Sequence, residues 1–123
     1  MVDQSIVHLD EKYVVRWMRF RGRYPAREYV DSLDGLLEAR FLALAKNFAK
    51  EGFLPDSHGK FLNGAYSKIY ELKPGGHRIF GFLHEGNLYL TNGAPKKKKK
   101  EQESDYDRAQ SMRNDFLDGL KHR

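Results

Sequence analysis

The sequence contains no cysteine. That excludes disulfides, thiolate zinc sites and cysteine nucleophiles, and it suits a reducing, cytoplasmic setting. No apolar run is long enough to span a membrane, because Arg, Lys or Asp interrupts each one. The opening Met1-Val2-Asp3-Gln4-Ser5 is neither basic nor followed by an apolar segment, so no secretory signal is read there. The histidines His8, His58, His77, His84 and His122 show no metal-binding spacing. His77 and His84 are an odd number of positions apart, which a regular strand points to opposite faces. Neither a Gly-x-Ser-x-Gly elbow nor a phosphate-binding glycine loop occurs. No metal, no small-molecule cofactor and no serine-hydrolase chemistry are therefore expected.

What is present fits one compact domain. The 123 residues are 40% hydrophobic and 13% aromatic, enough for a real core, and there is no internal repeat or linker. The expected domain spans residues 1–123, with 1–11 as a loosely determined lead-in. Lys and Arg number 22 against 17 Asp and Glu, a net charge of +5. That balance admits an acidic partner, nucleic acid first, but only the placement of the charge gives it weight.

Tyr13 to Phe20 is rich in β-branched and aromatic residues and reads as a strand. Arg16 and Arg19 fall on its opposite faces, which favours a sheet edge. Pro25 suits a first helical turn, and a short helix is expected from about Ala26 to Leu33. After Asp34-Gly35 a second helix is expected from about Leu36 to Lys50. Its Leu37, Phe41, Leu44 and Phe48 share one face, and Gly52 lies just beyond its end. These two make a helical hairpin with an apolar side.

Three extended runs follow, Tyr66 to Lys73, His77 to His84 and Asn87 to Gly93. Their short connections leave no room for crossover helices, so they form an antiparallel meander. Ile79 to Leu83 is apolar on both faces and should be central. Ser104, with Asp107 three residues on, reads as the cap of a last helix carrying Tyr106, Ala109, Met112, Phe116 and Leu120 on one side. The expected class is α+β, with helices on one face of a mainly antiparallel sheet.

Two constellations carry possible chemistry. Lys12, Arg16, Arg19, Arg21, Arg23 and Arg27 form a stretch without an acidic residue, and Lys96 to Lys100 are an unbroken lysine run. If they share a rim they can track phosphates, releasing counterions at each contact. The plainer readings are a charged edge that prevents strand-to-strand aggregation, a nuclear import signal, or a tether without a partner. The second constellation is Glu71, Lys73, His77 and Arg78, which flank Pro74-Gly75-Gly76 near one end of the sheet. A guanidinium beside a lysine suits a phosphate whose charge grows in a transition state. The plainer reading is a charged ladder on a solvated sheet face.

The run Lys60-Phe61-Leu62-Asn63-Gly64-Ala65-Tyr66, then Ile69-Tyr70-Glu71-Leu72-Lys73, then His77-Arg78-Ile79-Phe80, resembles the RelE/ParE toxin superfamily, in its phage-derived, HigB-like branch. Pro25 to Leu33 is similar to that family's first helix, and Lys96-Lys97, Ala109 and Arg113 to its later motifs. The likeness covers about residues 13 to 118 and lies in the shared order and spacing of short motifs.

The resemblance implies a RelE-like fold, with a helical hairpin and a C-terminal helix on the sheet. It also implies a toxin of a type II toxin–antitoxin pair that cuts mRNA on the ribosome without metal. In that chemistry the RNA 2′-hydroxyl attacks the adjacent phosphate. By the same resemblance Arg78 stabilises the transition state, Lys73 stands at a family Arg/Lys position, and Glu71 matches a strand glutamate. Lys96 and Lys97 would hold RNA phosphates, and Lys98, Arg16 and Arg19 extend that set through their charge. Asn92-Gly93-Ala94 replaces the family's His-Gly-Phe, leaving His77, Tyr106 or a lysine as proton donor. The expected partners are an antitoxin protein, mRNA and the ribosome, with no membrane. The alternatives are a non-catalytic phage-derived module that binds nucleic acid or protein, and a gyrase-directed toxin.

Overall fold

The computed structural model describes residues 3–121; Met1, Val2, His122 and Arg123 lie outside the described residues. The elements run β1 (Ile6–Leu9), β2 (Val14–Trp17), α1 (Pro25–Asp31), α2 (Gly35–Glu51), β3 (Gly59–Phe61), β4 (Ile69–Leu72), β5 (His77–His84), β6 (Asn87–Pro95) and α3 (Lys99–Lys121), with a 3-10 turn at Gly64–Tyr66 between β3 and β4. The strands form one six-stranded sheet in the order β1-β2-β6-β5-β4-β3. Neighbours are antiparallel except β2 and β6, which run parallel.

The helices cover both faces of this sheet, which corrects the expectation of one covered face. On one side Phe41, Ala45 and Phe48 of α2 and Val30 of α1 pack on Val15, Leu72, Ile79, Leu88 and Leu90. On the other, Tyr106, Ala109 and Met112 of α3 pack on Ile69, Phe80 and Phe82. The double-sided apolar pattern of β5 is the cause. Ile79 points to one helical layer while Phe80 and Phe82 point to the other, and a residue buried on either face stabilises by about 1.5–3 kcal/mol.

Local chemistry fixes the helix ends. The Asp34 side chain accepts from the Leu37 N–H at the start of α2, and Gly52 closes the helix with a φ of 81°. The helical hairpin and the β4-β5-β6 meander stand where the sequence places them. The first helix is shorter than expected, because Ser32 and Leu33 lie in the turn that follows it.

Five further expectations are corrected. Residues 6–9, read as lead-in, form β1, and β1 covers the flank of β2, so β2 is interior and not an edge. Arg16 is accommodated there because its guanidinium reaches Asp3, Ser5 and Asn87. Tyr66 belongs to the 3-10 turn and not to the strand, and β3 adds an edge strand that was not expected. Finally, α3 begins at Lys99, so Lys99 and Lys100 are helical and Ser104 is no cap. Gln102 instead ties the first turn to the segment before it, since its Oε1 accepts from the Lys97 N–H at 2.7 Å and its Nε2 donates to the Pro95 carbonyl at 3.2 Å.

The pairing of β5 with β6 is irregular between Phe80 and Gly81. A Cβ at position 81 would stand 2.6 Å from the Tyr89 carbonyl oxygen, a backbone atom that cannot swing away. Gly81→Ala is therefore expected to destabilise the protein by about 1–3 kcal/mol, read as a lower urea midpoint with an unchanged slope.

Candidate active site

A cleft of about 310 Å³ opens where the ends of β3, β4 and β5 meet the first turns of α3. Six cationic side chains (Lys60, Lys73, Arg78, Lys96, Lys97 and Lys99) and two acidic ones (Glu71 and Glu103) line it. Register explains the convergence. Lys60 pairs across the sheet with Glu71, Glu71 pairs with Phe80, and Arg78 lies two residues before Phe80 on the same face.

The floor of the cleft is an ion pair. Arg78 Nε stands 3.4 Å from Glu71 Oε1, with side-chain exposures of 10% and 7%. Arg78 Nη1 also donates to the Gly75 and His77 carbonyls at 2.9 and 2.7 Å. Nη1 is thus committed to two protein carbonyls, while Nε pairs with the Glu71 carboxylate through charge. Nη2 has no protein partner among the described residues, which leaves it for a ligand oxygen in the cleft.

Around this floor stand amines and phenols. Lys73 Nζ donates to the Asp56 carbonyl at 2.9 Å. Burial, then the charge of Lys60, lowers its pKa, and Arg78 adds to this while Glu71 opposes it. Tyr66 and Tyr106 form an aromatic wall with ring centroids 5.4 Å apart. Burial raises the Tyr106 phenol, and the Glu71 carboxylate raises it further. The Tyr66 hydroxyl donates to Asp107, which pushes its pKa up to about 12.

The other expected site residues are distributed differently. His77 projects to the opposite face of the sheet, where its Nδ1 lies 2.6 Å from the Tyr29 hydroxyl of α1; only its backbone carbonyl serves the site. Lys96 lines the cleft and has no carboxylate partner among the described residues. Lys97 lines it too but holds Asp105 at 2.8 Å, which ties it to the polar network at the start of α3. Lys98 is exposed and is not among the lining residues. Arg16 and Arg19 flank a separate hollow with Tyr89 and Phe116, so the two basic clusters do not share the cleft. His122 lies outside the described residues.

Asn92, where the resembled family has histidine, is buried and donates to the Asp105 carbonyl at 3.2 Å instead of lining the cleft. Lys60, Tyr66 and Gln102 are cleft residues that the sequence reading did not single out. Lys60 opens the Lys-Phe-Leu-Asn-Gly run, and only its pairing opposite Glu71 reveals its place. No group of three or more His, Asp or Glu side chains suited to a metal ion occurs among the described residues.

Comparison with known proteins bears on this arrangement. The model of a family described as "Phage derived protein Gp49-like" matches residues 28–114. The crystal structure of the toxin–antitoxin complex RelBE2 from Mycobacterium tuberculosis contains a chain of similar fold. The likeness has a TM-score of 0.53 at 16% sequence identity and covers 69% of this chain and 99% of that one. At that identity the likeness concerns the fold. No curated protein matches the sequence.

Two outcomes follow from the geometry. Glu71→Ala strands a buried guanidinium, so it should cost about 3–5 kcal/mol of stability in urea unfolding, whereas an exposed carboxylate such as Glu103 should cost less than about 1 kcal/mol. The Tyr66 phenol is raised from 10.0 to about 12, so its bond to Asp107 contributes stability below pH 10 that is lost as pH rises through about 12. Tyrosinate absorbance should accordingly show a late-titrating group that is missing in Tyr66→Phe.

Proposed function

The chain belongs to the phage-derived Gp49-like family, and from that premise we propose that it is the toxin of a type II toxin–antitoxin pair, a metal-independent, ribosome-dependent mRNA endonuclease. The observation that carries this reading is the cleft, in which a buried, carboxylate-oriented Arg78 offers Nη2 beside Lys60, Lys73 and Lys96. A phosphodiester gains negative charge as the RNA 2′-hydroxyl adds to phosphorus. Fixed cations stabilise that charge without rearranging at the moment of reaction.

In the proposed step the 2′-oxygen bonds to phosphorus and the bond to the 5′-oxygen breaks, leaving a cyclic phosphate and a 5′-hydroxyl. The 2′-hydroxyl proton passes to solvent water, and Lys73 stands beside Arg78 as a further cation. Tyr106 keeps its phenolic proton at neutral pH and supplies one to the departing oxygen. Arg78 and Lys96 hold the phosphate oxygens. The partner class follows from the same surface, since an acidic segment of an antitoxin protein matches six cations around one cleft.

A second reading, a non-catalytic binding module, is favoured by Asn92, because that position is spent on packing α3 and delivers no proton donor to the cleft. Induced expression in a bacterial host, with 5′ ends of cellular mRNA mapped, separates the two. The nuclease should arrest growth and leave new cuts within translated messages. Arg78→Lys keeps a cation opposite Glu71 and so preserves the fold, but it lacks the guanidinium fork and should lower cleavage by about a hundredfold or more. Normal growth and intact messages, with the protein folded, would leave the binding module in place of the nuclease.

A further inference from the structure

A second cationic hollow lies on the far flank of α3, lined by Phe20, Arg21, Arg23, Tyr29, Gly93 and Arg108 among others. Arg108 stands about 180° around the helix from Lys99 and about 140° from Glu103, both of which face the cleft. The helix therefore separates the two sites.

The hollow is built around a strained turn. Phe20 and Arg23 exchange backbone hydrogen bonds, Phe20 N–H to the Arg23 carbonyl at 2.7 Å and Arg23 N–H to the Phe20 carbonyl at 3.1 Å. Between them Arg21 and Gly22 have φ of 51° and 78°, two successive positive values as a type I′ turn requires. Glycine adopts this freely and asparagine tolerates it, whereas an arginine there is disfavoured. Side chains held in such a conformation cluster at ligand clamps.

The turn and α3 each bring one cation without an ion-pair partner to the hollow, which Glu28 also lines. Arg23 is engaged by Glu28. Arg21 and Arg108 have no carboxylate within ion-pair distance among the described residues, and both are exposed. The Arg21 guanidinium sits 4.9 Å over the Phe20 ring, which orients it toward the hollow at little further entropic cost. Planar guanidinium groups beside aromatic rings match phosphate oxygens and stacked bases better than they match scattered carboxylates.

We infer that this hollow is a second RNA-binding site, in which Arg21 and Arg108 hold backbone phosphates of a strand that continues past α3 from the cleft. The inference takes only the identity of the polyanion from the RNA-cleaving reading. A dinucleotide fills the cleft alone, whereas a longer strand reaches round a helix of ~12 Å diameter and occupies both sites.

The test is the double variant Arg21→Asn with Arg108→Gln, and Asn-Gly is a preferred pair for this turn, so the variant keeps or raises thermal stability. Binding of a fluorescent uridine dodecamer, made non-cleavable by 2′-methoxy groups, is measured against salt beside a dinucleotide of the same chemistry. The dodecamer should bind more weakly, with its logarithmic salt slope reduced by about 1.4 for two lost phosphate contacts, while the dinucleotide is unaffected. An unchanged dodecamer affinity and slope would overturn the site, as would a wild-type protein that binds no dodecamer. Equal losses for both oligonucleotides would also overturn it, by placing the effect in the cleft. Loss of affinity for polyglutamate with RNA binding intact would reassign the hollow to an acidic protein. Because binding is read without cleavage, a wild-type protein that cuts no message yet shows the Arg21- and Arg108-dependent slope would sink the nuclease and leave this site standing.

Discussion

A carboxylate and a guanidinium buried together at the ends of β4 and β5 set the constraint on which the rest depends. Neither charge is tolerable alone in that position, because the desolvation of an unpaired ion exceeds what packing around it can return. Arg78 therefore has to meet Glu71, and that fixes the register of β4 against β5 at the end where the chain turns through Pro74-Gly75-Gly76. The register of β3 against β4 brings Lys60 opposite Glu71, and Lys73 stands just beyond it. One ion pair thus aligns two strands and orients the group that faces the cleft.

The double-sided sheet makes this possible. A cleft needs a wall above its floor, and α3 supplies one only because the helical hairpin already covers the other face. Tyr106 does two jobs at this boundary, packing its ring edge-on to Phe80 while lining the opening with its hydroxyl. Gln102, Asp105, Lys97 and Asn92 pin the start of α3 to the end of β6, so the wall is held by hydrogen bonds at the one end where it bounds the cleft.

Much of this was legible in the residues. The meander, the central position of β5 and the helical hairpin follow from apolar periodicity and turn residues, signals that are local. Glu71, Lys73 and Arg78 were legible as a set because the turn between them is short. What the residues concealed was long-range. Four residues of β1 are too few to announce a strand without their partner in β2. Ser104 offers a local cap, but the Pro95 carbonyl and the Lys97 amide lie where Gln102 reaches both. Parity places His77 opposite Arg78 along the strand, yet proximity in sequence suggested a shared site. The sequence likeness to toxins of the RelE type anticipated the fold, and the RelBE2 complex bears it out at the level of the fold.

The parallel contact between β2 and β6 has a consequence for how the molecule comes into being. Val14 pairs with Asn87, residues drawn from opposite parts of the chain, while the four strands between β3 and β6 are joined by short local links. During synthesis from the amino terminus, β1, β2 and both hairpin helices emerge before β4, β5 and β6, which complete the layer over them. Part of their apolar surface can pack on β1 and β2, the rest waits for β5 and β6, and the cleft waits longer still, for the first turns of α3. Ordering of this kind, with distant partners meeting late, slows folding relative to local hairpins. The cleft is therefore complete only once α3 has emerged and docked against the sheet.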